Sequence, residues 1–167
     1  RFDPTDHDDS EKTFLGKTGR WNGDDIVNMV TEQPATARFI SRHLYNFFVA
    51  DEPQVPAWKD TPPRDPGAIK TLENAFTSSK GDMSEVMKTL FNSDFFKSAR
   101  FQKVKNPAEV VAGTVRLVKD HSNVKPGLFP VMKECTFMGQ DLLNPPTVEG
   151  WHTGREWIDS GTLVERI

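Results

Sequence analysis

The hydrophobic and polar positions of the chain predict a helix most strongly at 33–49, QPATARFISRHLYNFFV. Pro34 suits the first helical turn, where its missing N–H costs no hydrogen bond. A set of apolar residues then recurs at helical spacing: Ala37, Ile40, Leu44, Phe47 and Phe48. We expect this stripe to be buried, because an apolar face of this width must leave water. Arg38 and Arg42 lie opposite the stripe with Tyr45 beside them, so we expect a basic outer face.

Further segments combine a helix start signal with apolar positions at helical spacing. The segments are 21–32, with apolar Ile26, Val27 and Val30; 65–81, with the cap Asp65 and apolar Ile69, Leu72, Ala75 and Phe76; and 82–91, with a capping box of Asp82 and Glu85 and apolar Val86, Met87, Leu90 and Phe91. A fourth segment is 106–118, which starts with Asn106, Pro107 and Glu109 and continues with Val110, Val111, Thr114, Leu117 and Val118. The last is 130–142, with Val131, Cys135, Met138 and Leu142 on one side. The second and third of these should form a helical hairpin. We also expect a short turn carrying Phe95 and Phe96, and a last helix through Trp157, Leu163 and Arg166.

The remaining segments have no helical period. Residues 1–20 fit a loop with one short hairpin, and 52–66 holds five prolines, which is typical of an extended surface connection with Trp58 pinning it to the body. The segment PPTVEGWHTGREW at 145–157 is rich in turn residues. Together these patterns predict an all-α fold, a multi-helix orthogonal bundle with an irregular N-terminal hairpin. We expect residues 1–167 to form a single helical domain.

Composition narrows the class of protein. A chain of 167 residues can bury a core without metal or disulfide staples, and 12 Phe with 4 Trp indicate an aromatic one. A net charge of -3 gives no field to attract nucleic acid, which we therefore exclude as a partner. No apolar run of about 18 residues is long enough to span a bilayer, and no leader is recognisable. The abrupt start at Arg1 and stop at Ile167 lead us to expect a fragment of a longer protein.

Two segments of the chain, one acidic and one aromatic, are candidate binding sites. Carboxylates surround His7 in the first nine residues, and Asp3, His7 and Asp8 are candidate ligands for a divalent cation. The alternative, which we favour, is that these Asp residues stabilise turns. Trp151 and Trp157, in a glycine-rich segment, are suited to stacking on sugar rings or a peptide, but we favour a role in closing the core. Cys135 is the only cysteine and lies on an apolar face, which indicates a core residue and not a nucleophile.

Three blocks of the chain carry a family resemblance: HDDSEKTFLG at 7–16, KNPAEVVAGTVR at 105–116 and GQDLLNPPTVEGWHTGREWI at 139–158. They resemble the C-terminal part of the bacterial domain-of-unknown-function family 1800 (DUF1800), and the helix at 33–49 fits the same pattern. The chain departs from the pattern at Ser10, His43 and His152, where Gly, Lys and Pro are usual. The characteristic positions that match are His7, Asp8, Lys12, Gly16, Lys105, Pro107, Glu109, Arg116, Pro145, Pro146, Gly150, Trp151 and Trp157.

The resemblance implies a mostly helical, exported bacterial protein, often encoded near another exported family related to sulfatases, which is a candidate partner. It implies no reaction. Several matched positions are explained as caps and turns; the rest form the candidate binding set, His7, Asp8, Lys12, Lys105, Arg116, Trp151 and Trp157. We therefore expect a non-catalytic domain that binds a protein or a polysaccharide. The alternative is part of a metal-assisted hydrolase with the His7 and Asp8 loop in its site.

Overall fold

The computed structural model describes residues 3, 5–119, 127–151 and 153–158. Two short strands precede a series of helices: β1 (Lys12–Phe14), β2 (Lys17–Gly19), α1 (Gly23–Thr31), α2 (Pro34–Phe48), a 3-10 helix at Val55–Lys59, α3 (Pro66–Ser78), α4 (Met83–Asn92), α5 (Asp94–Ser98), α6 (Pro107–Val118), α7 (Leu128–Phe137) and a 3-10 helix at Gly154–Ile158. The predicted mainly helical fold is confirmed. No helix among the residues described here has the length and apolarity needed to cross a bilayer.

The chain divides into two compact units, each built from two stretches of sequence. The first unit comprises Arg1–Leu44 and Asp65–Asp94, and the second comprises Tyr45–Arg64 and Phe95–Ile167. Helix α2 contributes residues to both. The helical hairpin of α3 and α4 lies in the first unit, and α6 packs against α7 in the second. The single domain over 1–167 stays a prediction.

In the first unit, β1 and β2 form the predicted antiparallel hairpin, with Thr13 opposite Thr18. Leu15 and Gly16 make the turn, and both have positive φ, 48° and 76°. This is the two-residue turn whose twist matches that of the strands it joins. Gly19 is required for another reason, because a Cβ there would lie 2.6 Å from the Trp21 ring.

The core of the first unit is centred on the hairpin of α3 and α4. Leu72, Val86 and Leu90 are fully buried, and burying each such side chain contributes about 1.5–3 kcal/mol. The Asp65 side chain caps α3 through the Ala68 N–H, as predicted. The predicted capping box of α4 is absent. Asp82 caps it through the Ser84 N–H, and Glu85 instead pairs with Lys88 at 2.6 Å.

One arginine and one lysine side chain hold the buried carboxylate of Glu73 in the same unit. Glu73 lies on α3, and its Oε1 accepts from Arg38 Nε at 3.0 Å while its Oε2 accepts from Lys70 Nζ at 3.1 Å. Burial would raise the pKa of Glu73, but these charge-assisted hydrogen bonds outweigh it and lower the pKa below its usual value. The ion pair between Arg38 and Glu73 therefore ties α2 to α3 inside the first unit.

In the second unit, the last turn of α2 contributes Tyr45 to the buried set, and the residues after it contribute Val49 and Ala50. The Tyr45 ring lies 6.5 Å from the Phe95 ring of α5, measured between centroids. Cys135, Met138 and Trp157 are also buried. Burial raises the pKa of the Cys135 thiol, which fits the core role predicted for it.

Helix α6 begins with the capping box that the sequence predicts. Asn106 Oδ1 accepts from Glu109 N at 2.9 Å, and Glu109 Oε2 accepts from Asn106 N at 2.9 Å. A further N–H of the first turn, that of Ala108, donates to Gln140 Oε1 at 2.8 Å. The start of α6 is thus bonded to the segment that follows α7.

The predicted buried face of α2 is only partly correct, because Ala37 is buried but Phe47 is not. Arg42 and Tyr45, placed on the outer side, are only 4% and 5% exposed, whereas Phe47 is 69% exposed. The row that is buried runs through Ala37, Ser41 and Tyr45 at a spacing of four residues. Aromatic residues lie on several sides of this helix, so periodicity alone did not select the face.

Similar corrections apply to other elements. Val27 and Val30 of α1 are exposed and Met29 is buried instead. Leu117 and Val118 of α6 are also exposed. The 52–66 segment contains a 3-10 helix, and Trp58 Nε1 donates to the Pro53 carbonyl of the same segment at 2.7 Å. Because this bond lies inside the segment, the attachment of the segment to the body through Trp58 stays a prediction. Helix α7 begins two residues before Pro130, and the predicted helix beyond Trp157 lies outside the described residues.

Candidate functional site

The second unit contains a cleft with a volume of about 480 Å3, lined by residues 51–54, Arg64, Phe101, Gln102, Val104 and 153–156. Three stretches of the chain meet there: the segment after α2, the segment before α6 and the start of the last 3-10 helix. The volume falls in the range of ligand-binding clefts in proteins, about 300–1,000 Å3. This cleft is therefore the candidate functional site of the second unit.

Asp51 organises one wall of the cleft. Its Oδ1 accepts from Lys103 Nζ at 3.1 Å and its Oδ2 accepts from the Val104 N–H at 2.8 Å. Lys103 Nζ also donates to the Asn46 carbonyl at 2.8 Å, in the last turn of α2, where carbonyl groups lack partners within the helix. The Asp51 carboxylate is thus fully used in joining the end of α2 to 103–104.

Glu52 organises the neighbouring wall. Its side chain is 4% exposed, and Oε1 accepts from the Arg64 backbone N–H at 2.7 Å. The Glu52 N–H donates to Asn46 Oδ1 at 2.9 Å, and Arg64 Nη2 donates to Gln102 Oε1 at 2.5 Å. These bonds hold the end of the proline-rich segment and residue 102 beside the same cleft.

Gly154 brings the last segment against Asp51. Its φ is +60°, a conformation that L side chains rarely adopt, and a Cβ there would lie 2.9 Å from Asp51 Cβ and 3.2 Å from Asp51 Cγ. Only glycine fits at this contact without a shift of the backbone or of Asp51. The close approach places Thr153, Arg155 and Glu156 in the lining of the cleft.

Phe101 is an exposed and strained aromatic residue in the lining. Its side chain is 88% exposed, and its φ is +66°. Positive φ is unfavourable for a bulky residue, and such strain is concentrated at functional sites. The Arg100 guanidinium lies 4.9 Å from the centre of the ring. An apolar ring held in water at a polar cleft is a suitable stacking surface for a ligand.

In the first unit, two of the candidate metal ligands are occupied by turn hydrogen bonds. Asp3 Oδ1 accepts from the backbone N–H and the hydroxyl of Thr5, at 3.0 and 2.7 Å. Asp8 accepts from the backbone N–H and the hydroxyl of Ser10, at 2.9 and 2.8 Å. The hydrogen bonds lower the pKa of both carboxyl groups. This arrangement is the one that the turn interpretation predicts.

The structure does bring His7, Asp8 and Lys12 together in this loop. His7 Nε2 lies 3.5 Å from Asp9 Oδ1, and Lys12 Nζ donates to the Asp8 carbonyl and lies 3.8 Å from Asp8 Oδ2. Within the described part of the chain, no three His, Cys, Asp or Glu side chains are grouped so as to hold a metal ion. The cation site at Asp3, His7 and Asp8 stays an untested prediction.

Comparison with known proteins gives a family and no activity. The model of the family described as protein of unknown function (DUF1800) matches residues 1–167. The chain belongs to the DUF1800 family. No curated protein and no solved structure matches it. The resemblance noted in the sequence is thereby confirmed, and the function of this DUF1800 chain has to be argued from its own site.

The other predicted binding residues of this DUF1800 chain lie in the second unit but do not line the cleft. Trp157 is buried, as the core-closing interpretation expects, and follows the lining residue Glu156. Trp151 is half-buried, and its Nε1 is buried without a hydrogen-bond partner among the described residues. Lys105 and Arg116 are exposed.

Sequence reasoning missed the polar residues of the cleft, which are Asp51, Glu52, Arg64, Gln102 and Arg155. Their pairing depends on how the chain returns on itself after the prolines, which no local pattern shows. Phe101 had a detectable signal, because it is a large apolar residue inside the basic run from Lys97 to Lys105. An isolated aromatic residue among charges is a reasonable candidate for a contact residue.

Proposed function

We propose that this DUF1800 chain is a binding module for polysaccharide, with the cleft of the second unit as its site. The observation that carries the proposal is the composition of the lining. Residues with amide, carboxylate, hydroxyl and guanidinium groups line the cleft together with Phe101, an aromatic residue that is 88% exposed. The sequence led us to expect either a protein or a polysaccharide partner, and we propose the polysaccharide.

The chemistry of a sugar explains this choice. A sugar presents hydroxyl groups that both donate and accept hydrogen bonds, together with a face of C–H groups that stacks on aromatic rings. Gln54, Gln102 and Thr153 supply polar groups of both kinds, and Phe101 supplies the ring. A protein interface would instead favour a buried apolar centre. A small cleft with polar groups beside one exposed aromatic ring fits a short stretch of a glycan chain better.

Binding is favoured over hydrolysis because two of the three carboxylates in the described lining of the cleft, those of Asp51 and Glu52, are already bonded within the protein. Glycoside hydrolysis requires a carboxyl group that gives a proton to the substrate and a second carboxylate nearby. Both oxygens of Asp51 already accept N–H groups of the protein, and Glu52 is 4% exposed with one oxygen on the Arg64 N–H. These two side chains hold the walls together, which is a structural task.

Two further proposals rest on the family resemblance alone. We propose that the protein is exported from a bacterial cell, and that an exported protein related to sulfatases is a candidate partner.

The metal-assisted hydrolase remains the alternative function. The hydrolase alternative is tested by unfolding the metal-stripped protein with added calcium, magnesium, manganese or zinc. A cation that binds the folded state and is present at about 100 times its dissociation constant should raise the free energy of unfolding by roughly 2.7 kcal/mol. A shift lost in both His7→Ala and Asp8→Ala would favour the hydrolase.

The binding proposal is tested by screening a glycan array and measuring the hits by isothermal titration calorimetry. Phe101→Ala should weaken binding by about 2- to 12-fold through lost stacking alone, since stacking of an aromatic ring is worth about 0.5–1.5 kcal/mol beyond the area it buries. Phe129→Ala is the matched control, because Phe129 is 80% exposed in the same unit but does not line the cleft. Equal affinity in the two variants, or no glycan bound, would refute the proposal.

A further inference from the structure

We infer that the cleft selects a negatively charged glycan, with Arg64 and Arg155 as the residues that bind the acidic group of the sugar. This inference rests on the proposed function and specifies its ligand class. It follows from the hydrogen bonds that the charged residues of the cleft already make, and from those they leave available.

The acidic side chains of two walls are already satisfied. Asp51 accepts from Lys103 and from the Val104 N–H, and its side chain is 14% exposed. Glu52 accepts from the Arg64 N–H and is still less exposed. A buried carboxylate that is bonded in this way presents little negative potential to a ligand. The two charges therefore oppose an incoming anion much less than the net charge of the lining indicates.

The guanidinium groups are in the opposite state. Arg155 is exposed, lines the cleft and makes no ion pair or hydrogen bond with the described residues. Arg64 is exposed too, and within that same part of the chain its guanidinium donates one hydrogen bond, to Gln102. A guanidinium carries five N–H donors in a planar fork that matches the two oxygens of a carboxylate or sulfate group. Both side chains thus retain donors for an anion.

The rim of the cleft adds charges of both signs. Arg100 lies over the Phe101 ring, so a sugar that stacks there meets a third guanidinium. Glu156 also lines the cleft and is exposed, and its negative charge opposes an anion there. Glu156→Gln should therefore raise the preference of the cleft for an acidic glycan over a neutral one.

The test compares matched ligands by isothermal titration calorimetry. The probes are an oligogalacturonate, the same oligomer after its carboxyl groups are reduced to alcohols, and the reduced oligomer after sulfation. At least one acidic form should bind about 10- to 100-fold more tightly than the neutral form, which corresponds to hydrogen bonds with a charged group. The sulfated and carboxylated arms show which acidic group is recognised. The preference should decrease as salt is added.

The variants assign the preference to the two arginines. Arg155→Gln and Arg64→Gln should each reduce it, and Arg155→Lys, which keeps the charge but not the fork, should retain part of it. Lys133→Gln is the matched control, because Lys133 is an exposed cation of the same unit outside the lining. Equal affinity for neutral and acidic oligomers, with loss in Phe101→Ala, would overturn the inference and leave the proposed function standing. If no glycan binds, the proposed function fails as well.

Discussion

Replacement of Gly154 by alanine tests the contact that closes the cleft. Two costs add at this position. An L residue in the left-handed conformation costs about 1–2 kcal/mol, and Gly154 has φ +60°. The new Cβ would also lie 2.9 Å from Asp51 Cβ, and overpacking of this kind costs about 1–3 kcal/mol. We therefore expect Gly154→Ala to lower the free energy of unfolding by about 2–5 kcal/mol.

The Cβ of Asp51 moves only if the backbone or the whole side chain moves. Relief of the clash in this way displaces the carboxylate that accepts from Lys103 and from the Val104 N–H. The variant should therefore also bind glycan more weakly, because Arg155 and Glu156 follow Gly154 into the lining. A loss of both stability and binding is the expected combination.

The matched control is Gly113→Ala. Gly113 lies inside α6, and a Cβ there meets no atom within 4 Å and no left-handed backbone. Since alanine is the better helix former, this variant should gain about 0.5–1 kcal/mol. The assay is urea unfolding followed by tryptophan fluorescence, to which Trp58, Trp151 and Trp157 of the second unit contribute. If Gly154→Ala is as stable as the wild type, the contact between Gly154 and Asp51 is wrong.

Three further predictions concern the first unit. Ser41 is fully buried with no partner for its hydroxyl in the described chain, so Ser41→Ala should raise the free energy of unfolding by about 0.5–2 kcal/mol in urea titrations; a loss would show an overlooked hydrogen bond. Leu72→Ala should lower it by about 2.7–5 kcal/mol by leaving a cavity, and a loss below about 1 kcal/mol would contradict the packing described. Burial raises the pKa of Glu73, but Arg38 and Lys70 outweigh it, so the pKa is lower in the folded protein than in the unfolded chain. The ionised Glu73 therefore stabilises the fold at a pH above the unfolded-state pKa, about 4.3. This stabilisation is lost as the pH falls through the lower pKa of the folded state. The stability gap between wild type and Glu73→Gln should therefore narrow on acidification, and a gap independent of pH would refute the role of this pair.

Local sequence signals located most of the elements correctly. Asp65 and the Asn106–Glu109 box mark the starts of α3 and α6, because a cap is formed by residues within four positions of each other. The hairpin at 12–19 is likewise decided by the two residues of its turn. Membership of the DUF1800 family was also evident from the sequence. Each of these conclusions depends on short stretches of chain.

The sequence did not determine which face of a helix is buried or which residues form the cleft. Helix α2 has apolar residues around much of its circumference, so the packing of its neighbours decided that Arg42 and Tyr45 are buried and Phe47 exposed. The cleft joins residues 51–54, 64, 101, 102, 104 and 153–156, which are separated by up to about a hundred positions. Their meeting depends on hydrogen bonds such as those of Asp51, whose partners are identified by the path of the folded chain alone. Local propensity acts over a few residues, and the site is made by contacts that only tertiary structure brings about.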